Sequence, residues 1–127
     1  MIFVFGSNKS GVHGAGAAKY AHQHQGAEWG IGEGLTGNSY ALPTKGFQIE
    51  TIPVIEIKYA VDRFIKFATE HPNGLFQVTR VGCGLGGKKD SDIAWMFREA
   101  PNNCLFDEFW KPWLDNFKVK RKYWGTF

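Results

Sequence analysis

Two segments of this chain share one construction: an apolar run passes without interruption into a glycine-rich stretch. The first is IFVF, residues 2–5, followed by GSNKSGVHGAGAAKY. The second is LFQVTRVG, residues 75–82, followed by CGLGGKKD. A short continuous run of β-branched and aromatic residues that stops at glycine reads as a buried strand. A fold for this chain must therefore hold two interior strands whose ends open into loops that tolerate very close approach of other atoms.

What lies between these segments suits helices. GAGAAKYAHQHQ, from about Gly14 to Gln25, is alanine-rich and free of breakers after Gly16, so a helix opens out of the first glycine stretch. PVIEIKYAVDRFIKFATE, residues 53–70, places Val54, Ile57, Val61, Phe64, Ile65 and Ala68 on one helical face. Glu56, Asp62, Arg63 and Lys66 lie away from that face, and Pro53 suits the first turn. GAEWGIGEGLTGNS, residues 26–39, reads as an irregular connection, and YALPT, residues 40–44, as a short strand ended by Pro43. HPNG, residues 71–74, is a turn; SDIAWMFREA is a helix capped by Asp90 or Ser91; NNCLF before DEFWKPW is a last short strand. The order βαβαβαβ predicts a three-layer α/β/α sandwich with a mixed, mostly parallel central sheet.

With 127 residues, 43% of them hydrophobic, the chain suits one domain with a sizeable core. No apolar run reaches the roughly 18 residues that a membrane helix needs. The opening MIFVFGSN lacks the basic region of a signal peptide, so a cytoplasmic protein is expected. Cys83 and Cys104 have no CxxC spacing, which argues against a disulfide framework or a zinc site, and no metal or cofactor is expected. The net charge of +3 is concentrated in KVKRKYW, residues 118–124, and at Lys88 and Lys89. Such a stretch fits either contact with a polyanion, nucleic acid included, or a solvated C-terminal tail. Of the late aromatics, Phe106, Phe109, Trp110 and Trp113 suit the core. Phe117 belongs to the same aromatic cluster. Tyr123, Trp124 and Phe127 leave a dimer contact or a ligand lid open, and with it the oligomeric state.

In open α/β sheets ligands gather at the carboxyl ends of the strands, and both glycine loops lie at such ends. Glycine permits close backbone approach, and successive N–H groups there, or at the helix N-terminus that follows, form concavities for anions. Two loops closing on one ligand suit a diphosphate. The chain has no GxxxxGK[ST], so it is not read as a P-loop nucleotide hydrolase. GEGLTG, residues 32–37, matches GxGxxG but neither follows a clear strand nor opens a helix, and is read as chance. His13, inside the first loop, could orient a water, bond a phosphate or cap the helix. His22 and His24 fall on different sides of a helix, which argues against a metal pair, and His71 reads as a turn residue. Cys83 is a packed thiol unless some group lowers its pKa.

FGSNKSGVHGAGAAKYAHQHQGAEWGIGEGLTGNSYALPTK followed by FQVTRVGCGLGGKKDSDIAWMF resembles a macrodomain, the ADP-ribose-binding α/β/α fold. Within that family, GAGAA and VTRVGCGLGG are most similar to the branch of terminal ADP-ribose glutamate hydrolases. The resemblance spans about residues 2 to 98. It implies that the first loop, with Gly6, Ser7, Asn8, Gly11, Val12, His13, Gly14, Ala15 and Gly16, contacts the distal ribose and the diphosphate, Asn8 bonding the ribose. Gly82, Cys83, Gly84, Leu85, Gly86 and Gly87 would wrap the diphosphate, and Thr44 would join them. Lys45 falls where the branch has a nucleophilic lysine and is one candidate catalytic residue; His13, by its place inside the first loop, is the other. Gly86 stands where the branch has its acid–base aspartate, so turnover by that route needs Asp90 or Asp92 to reach in. The family's adenine-recognising aspartate has no counterpart in this sequence. The implied function is binding of ADP-ribose or a related NAD-derived nucleotide, free or carried on a protein or nucleic acid. Hydrolysis of ADP-ribosyl linkages and non-catalytic sensing or sequestering remain the two alternatives.

Overall fold

The computed structural model describes residues 1–115 and 120–126. Six strands, β1 (Ile2–Asn8), β2 (Gly34–Thr36), β3 (Ser39–Lys45), β4 (Phe76–Val78), β5 (Cys104–Asp107) and β6 (Lys122–Gly125), form one sheet in the order β2-β3-β1-β4-β5-β6. Only β2 runs antiparallel to its neighbour; β3, β1, β4, β5 and β6 are parallel. The helices are α1 (Gly16–His24), α2 (Val54–Glu70), α3 (Asp90–Ile93), which continues into a 3-10 turn at Ala94–Phe97, and α4 (Lys111–Leu114).

Alternation along the central strands sorts the core into two layers. Phe3 and Phe5 of β1 and Ala41 of β3 face one side, where Ala18 and Ala21 of α1 meet them. Val4, Tyr40, Leu42, Phe76, Val78 and Phe106 face the other, against Ile57, Val61, Phe64 and Ala68 of α2 and against Phe97 and Trp110. The architecture is thus an α/β/α sandwich with a mixed, mostly parallel sheet, as the sequence predicts. The alanines of α1 let it lie against β1.

Four local readings are corrected. The segment 26–39 is not wholly irregular, because β2 pairs with β3 through Gly34, Leu35 and Thr36. Three residues without apolar alternation carry no strand signal of their own; the pairing, and the ion pair of Glu33 with Arg63 on α2, hold them. Pro43 does not end β3, since the ladder with β1 shifts register between Ser7 and Asn8 and continues to Lys45. Such an irregularity is where a strand accommodates the donor that proline lacks. Residues 91–100 are not one helix, and neither Asp90 nor Ser91 caps α3 from its N-cap position, which Lys89 occupies without a side-chain bond.

The fourth correction concerns the basic stretch, which is not a solvated tail where it is described: Lys122–Gly125 is β6, paired with β5. Arg121 donates to the carbonyls of Ala100 and Arg98, and Tyr123 packs on the core. Trp124 Nε1 donates to the Val78 carbonyl at 2.9 Å. Of the late aromatics, Phe106 and Trp110 are buried, Trp113 packs against the core, and Phe109 is half exposed. Phe117, Lys118 and Phe127 lie outside the described residues. Among the described residues no helix is long and apolar enough to cross a membrane.

Phe64 is fully buried and its ring lies 5.1 Å from that of Tyr40, 5.5 Å from Phe76 and 6.1 Å from Phe97. Phe64→Ala is expected to lower unfolding stability by about 3–5 kcal/mol in equilibrium urea titrations. A loss well below that range would mean that α2 does not sit on this layer.

Candidate functional site

The carboxyl ends of four adjacent parallel strands lie in a row, with Lys45 on β3, Asn8 on β1, Thr79 and Arg80 just beyond β4, and Asp107 on β5. The loop after β1 and the loop after β4 rise above that row and enclose a cleft of about 340 Å³. It is lined by Gly6, Ser7, Asn8, Val12, Gly14, Ala15, Gly16, Thr44, Lys45, Gly82, Cys83, Gly84, Leu85 and Gly86 of the residues expected from the sequence. Gly11, His13 and Gly87 are not in its wall. The two loops meet at the rim, where a Cβ on Gly16 would lie 2.9 Å from Leu85 Cδ1.

The first loop is folded by the side chain that ends β1. Asn8 Nδ2 donates to the Val12 carbonyl at 2.8 Å, and Asn8 Oδ1 accepts from Val12 N and Ser10 Oγ, each at 2.9 Å. One N–H of that amide is left over for a ligand. Below the loop, Gly11 takes φ +72° and its Cα side faces Gly30 and Ile31 so closely that a Cβ would overlap their backbone. Ser7 Oγ donates to the Gly32 carbonyl, and Gly30 N donates to Gly11 O at 2.9 Å. The bed on which the first loop rests is thus Gly30 to Gly32, and the GEGLTG segment shares only Gly32 with it.

His13 points into that bed rather than into the cleft. It is 1% exposed, packs edge-on to the Phe5 ring at 5.3 Å, and donates from Nε2 to the Glu28 carbonyl at 2.9 Å. Nδ1 is then the unprotonated nitrogen, and it has no partner among the described residues. Burial holds the imidazole below its ordinary pKa, and the nearby His22 adds to the effect. A neutral ring in this position packs the loop onto β1.

The charged groups divide between the two ends of the cleft. Lys45 has no ion-pair or hydrogen-bond partner for its ammonium among the described residues. Arg80 is bidentate to Asp90, with both bonds 2.7 Å, and its guanidinium lies 4.2 Å from the Phe109 ring centre. Asp90 also accepts from Trp110 Nε1 at 2.7 Å, and the Arg80 guanidinium above all holds its carboxyl below the usual carboxylate range. Burial, with the negative Asp90 beside it, pushes the Cys83 thiol up to about 12, so at neutral pH it is no nucleophile. Neither Asp90 nor Asp92 lines the cleft; the carboxylate in its wall is Asp107.

Asp107 is fully buried and accepts from Phe109 N at 2.9 Å and from Thr126 Oγ1 at 3.1 Å. Reading the sequence missed it, together with Ile49, Thr79 and Arg80. For Asp107 a signal existed: it follows NNCLF directly, at the same strand end as both glycine loops. For Ile49 there was none. Among the described residues no group of three His, Cys, Asp or Glu side chains is placed to hold a metal ion.

The buried His13 gives stability a pH dependence. Its folded-state pKa is below the unfolded value of 6.5, so the unfolded chain binds the proton more readily. Its contribution is complete above pH 6.5 and is lost as pH falls through that value towards the folded pKa. Urea midpoints of the wild type and of His13→Phe, measured between pH 7.5 and pH 5, are expected to fall less steeply with acid in the variant. Equal slopes would mean that burial does not hold His13 neutral. Comparison with known proteins gives no match: neither a family model, nor a curated protein, nor a solved structure is similar to the chain.

Proposed function

We propose that this chain binds ADP-ribose or a related NAD-derived nucleotide in the cleft, with the diphosphate between the two glycine loops. The observation that carries this reading is the contrast among glycines with ordinary φ. At Gly6, Gly32 and Gly74 a Cβ would press on neighbouring backbone or ring atoms, so the fold itself explains them, and at Gly46 it would meet only the movable Glu50 carboxylate. At Gly14 and Gly86 a Cβ would meet nothing within 4 Å, and neither takes a positive φ. These two stand on opposite loops of the same cleft. No neighbour among the described residues requires their bare backbone, whereas a ligand lying against both loops does.

The chemistry of the wall suits a diphosphate. The N-cap of α1 is Ala15, with no side-chain cap bond and no acidic residue in the first turn. Ala15, Gly16, Ala17 and Ala18 all line the cleft, which leaves first-turn N–H donors and the positive end of the helix dipole to an anion. Lys45, with no counter-ion among the described residues, adds positive charge at one end of the cleft, while the charge of Arg80 is met by Asp90.

Between turnover and simple holding of the nucleotide, the placement of carboxylates favours holding. Asp107 is three strands from Lys45 along the row, about 14 Å at the usual strand spacing. Asp90 is committed to Arg80 and Trp110. A lysine nucleophile without an adjacent acid–base carboxylate binds the opened sugar but does not resolve the intermediate efficiently.

Isothermal titration with ADP-ribose, followed by chromatography of the same mixture, tests both halves. Micromolar or tighter binding with the nucleotide recovered intact is expected. Gly14→Ala and Gly86→Ala should each weaken binding about tenfold while leaving the melting temperature unchanged, because both new methyl groups enter open space. No heat with ADP-ribose or other NAD-derived nucleotides would overturn the reading, and a product that disappears in Lys45→Ala would establish turnover instead.

A further inference from the structure

Lys45 leads directly into a tight hairpin. Gly46 N donates to Glu50 O at 2.9 Å, Ile49 N donates to Gly46 O at 3.1 Å, and Lys45 bridges back to Thr51. Within this turn Ile49 takes φ +62°, and it is the only non-glycine residue to do so among those described. A β-branched residue in the left-handed region is a steric outlier, and a turn of this kind accepts glycine or asparagine there without strain.

Packing does not account for the choice. Ile49 is 45% exposed, belongs to neither buried cluster, and has its neighbour Phe47 exposed as well. Ile49 instead forms part of the cleft wall, as Lys45 does. Strained residues of this sort cluster at ligand clamps, where the position of the side chain matters more than the strain.

We infer that Ile49 is a specificity-determining contact for the sugar beyond the diphosphate, the terminal ribose of an ADP-ribose-type ligand. This rests on the nucleotide reading given above, in which Asn8 bonds the terminal ribose, and adds Ile49 to that end of the cleft. The β5 end of the cleft is walled by groups already engaged, Arg80 in its bidentate pair with Asp90 against the Phe109 ring, and the buried Asp107 accepting from Phe109 N and Thr126 Oγ1. The β3 end offers one amide N–H from Asn8, one ammonium from Lys45 and the aliphatic face of Ile49. A ribose, with hydroxyls on its edge and C–H groups on its face, matches that set.

Ile49→Asn and Ile49→Gly test this by comparing two probes that share the adenosine diphosphate and differ in the terminal ribose. For both variants affinity for ADP-ribose should fall about tenfold, equivalent to about 1.4 kcal/mol, while affinity for ADP stays within twofold of wild type. The melting temperature of Ile49→Asn should be unchanged or higher, since asparagine tolerates the backbone angle. Unchanged affinity for ADP-ribose, or equal losses for the two probes, would overturn the assignment while leaving the nucleotide reading in place. Failure of the wild type to bind either probe would overturn that reading and this one with it.

Discussion

The cleft depends on how closely two stretches of backbone approach beneath it. Gly11, in the loop after the central strand, lies against Gly30 and Ile31, and the Ser7 hydroxyl reaches the Gly32 carbonyl. With that approach in place, the Asn8 amide closes the turn on Val12, and α1 starts where its first N–H groups face the cleft. A side chain at Gly11 would lift the loop from its bed and move the helix N-terminus with it. The two histidine and aromatic groups below, His13 against Phe5, fill the remaining space without entering the site.

A second fixed point lies on the other side of the sheet end. Arg80, just past β4, is held by Asp90 from α3, and Asp90 in turn by Trp110, a fully buried residue following β5. Both Arg80–Asp90 bonds are short and bidentate, a geometry that gives orientation as well as energy. The second glycine loop hangs between Arg80 and Asp90, so the network sets its two ends while its tip, Gly84 to Gly86, keeps open space above the cleft. One loop is seated by backbone packing and the other by a charged network. In the proposed function the diphosphate lies where they face each other.

Much of this architecture could be read locally. The apolar run ending at Gly6, the 3.6-residue pattern of Val54 to Ala68, and the run from Leu75 into Gly82 are each signalled by residues close in sequence, and each corresponds to an element of the fold. The less legible elements all owe their form to distant partners. β2 exists because Ser39–Ala41 is beside it; β6 exists because β5 presents an open edge; Pro43 stays within its strand because a register shift opposite Ser7 and Asn8 accommodates it. Asp90 was expected as a helix cap and instead serves Arg80, ten positions earlier in the chain, and Trp110, twenty positions later.

The same division applies to the site. By itself the sequence determined that two interior strands end in glycine loops and that helices alternate with strands, because glycine content and hydrophobic periodicity act through neighbours along the chain. Only the tertiary structure decided which glycines are bare for the fold's own sake and which face open space. It also decided that His13 is packed under a loop, that the carboxylate of the cleft is Asp107, and that a strained Ile49 stands in its wall. Those outcomes depend on which backbones come within van der Waals contact across tens of residues, and no local pattern of residue types encodes that.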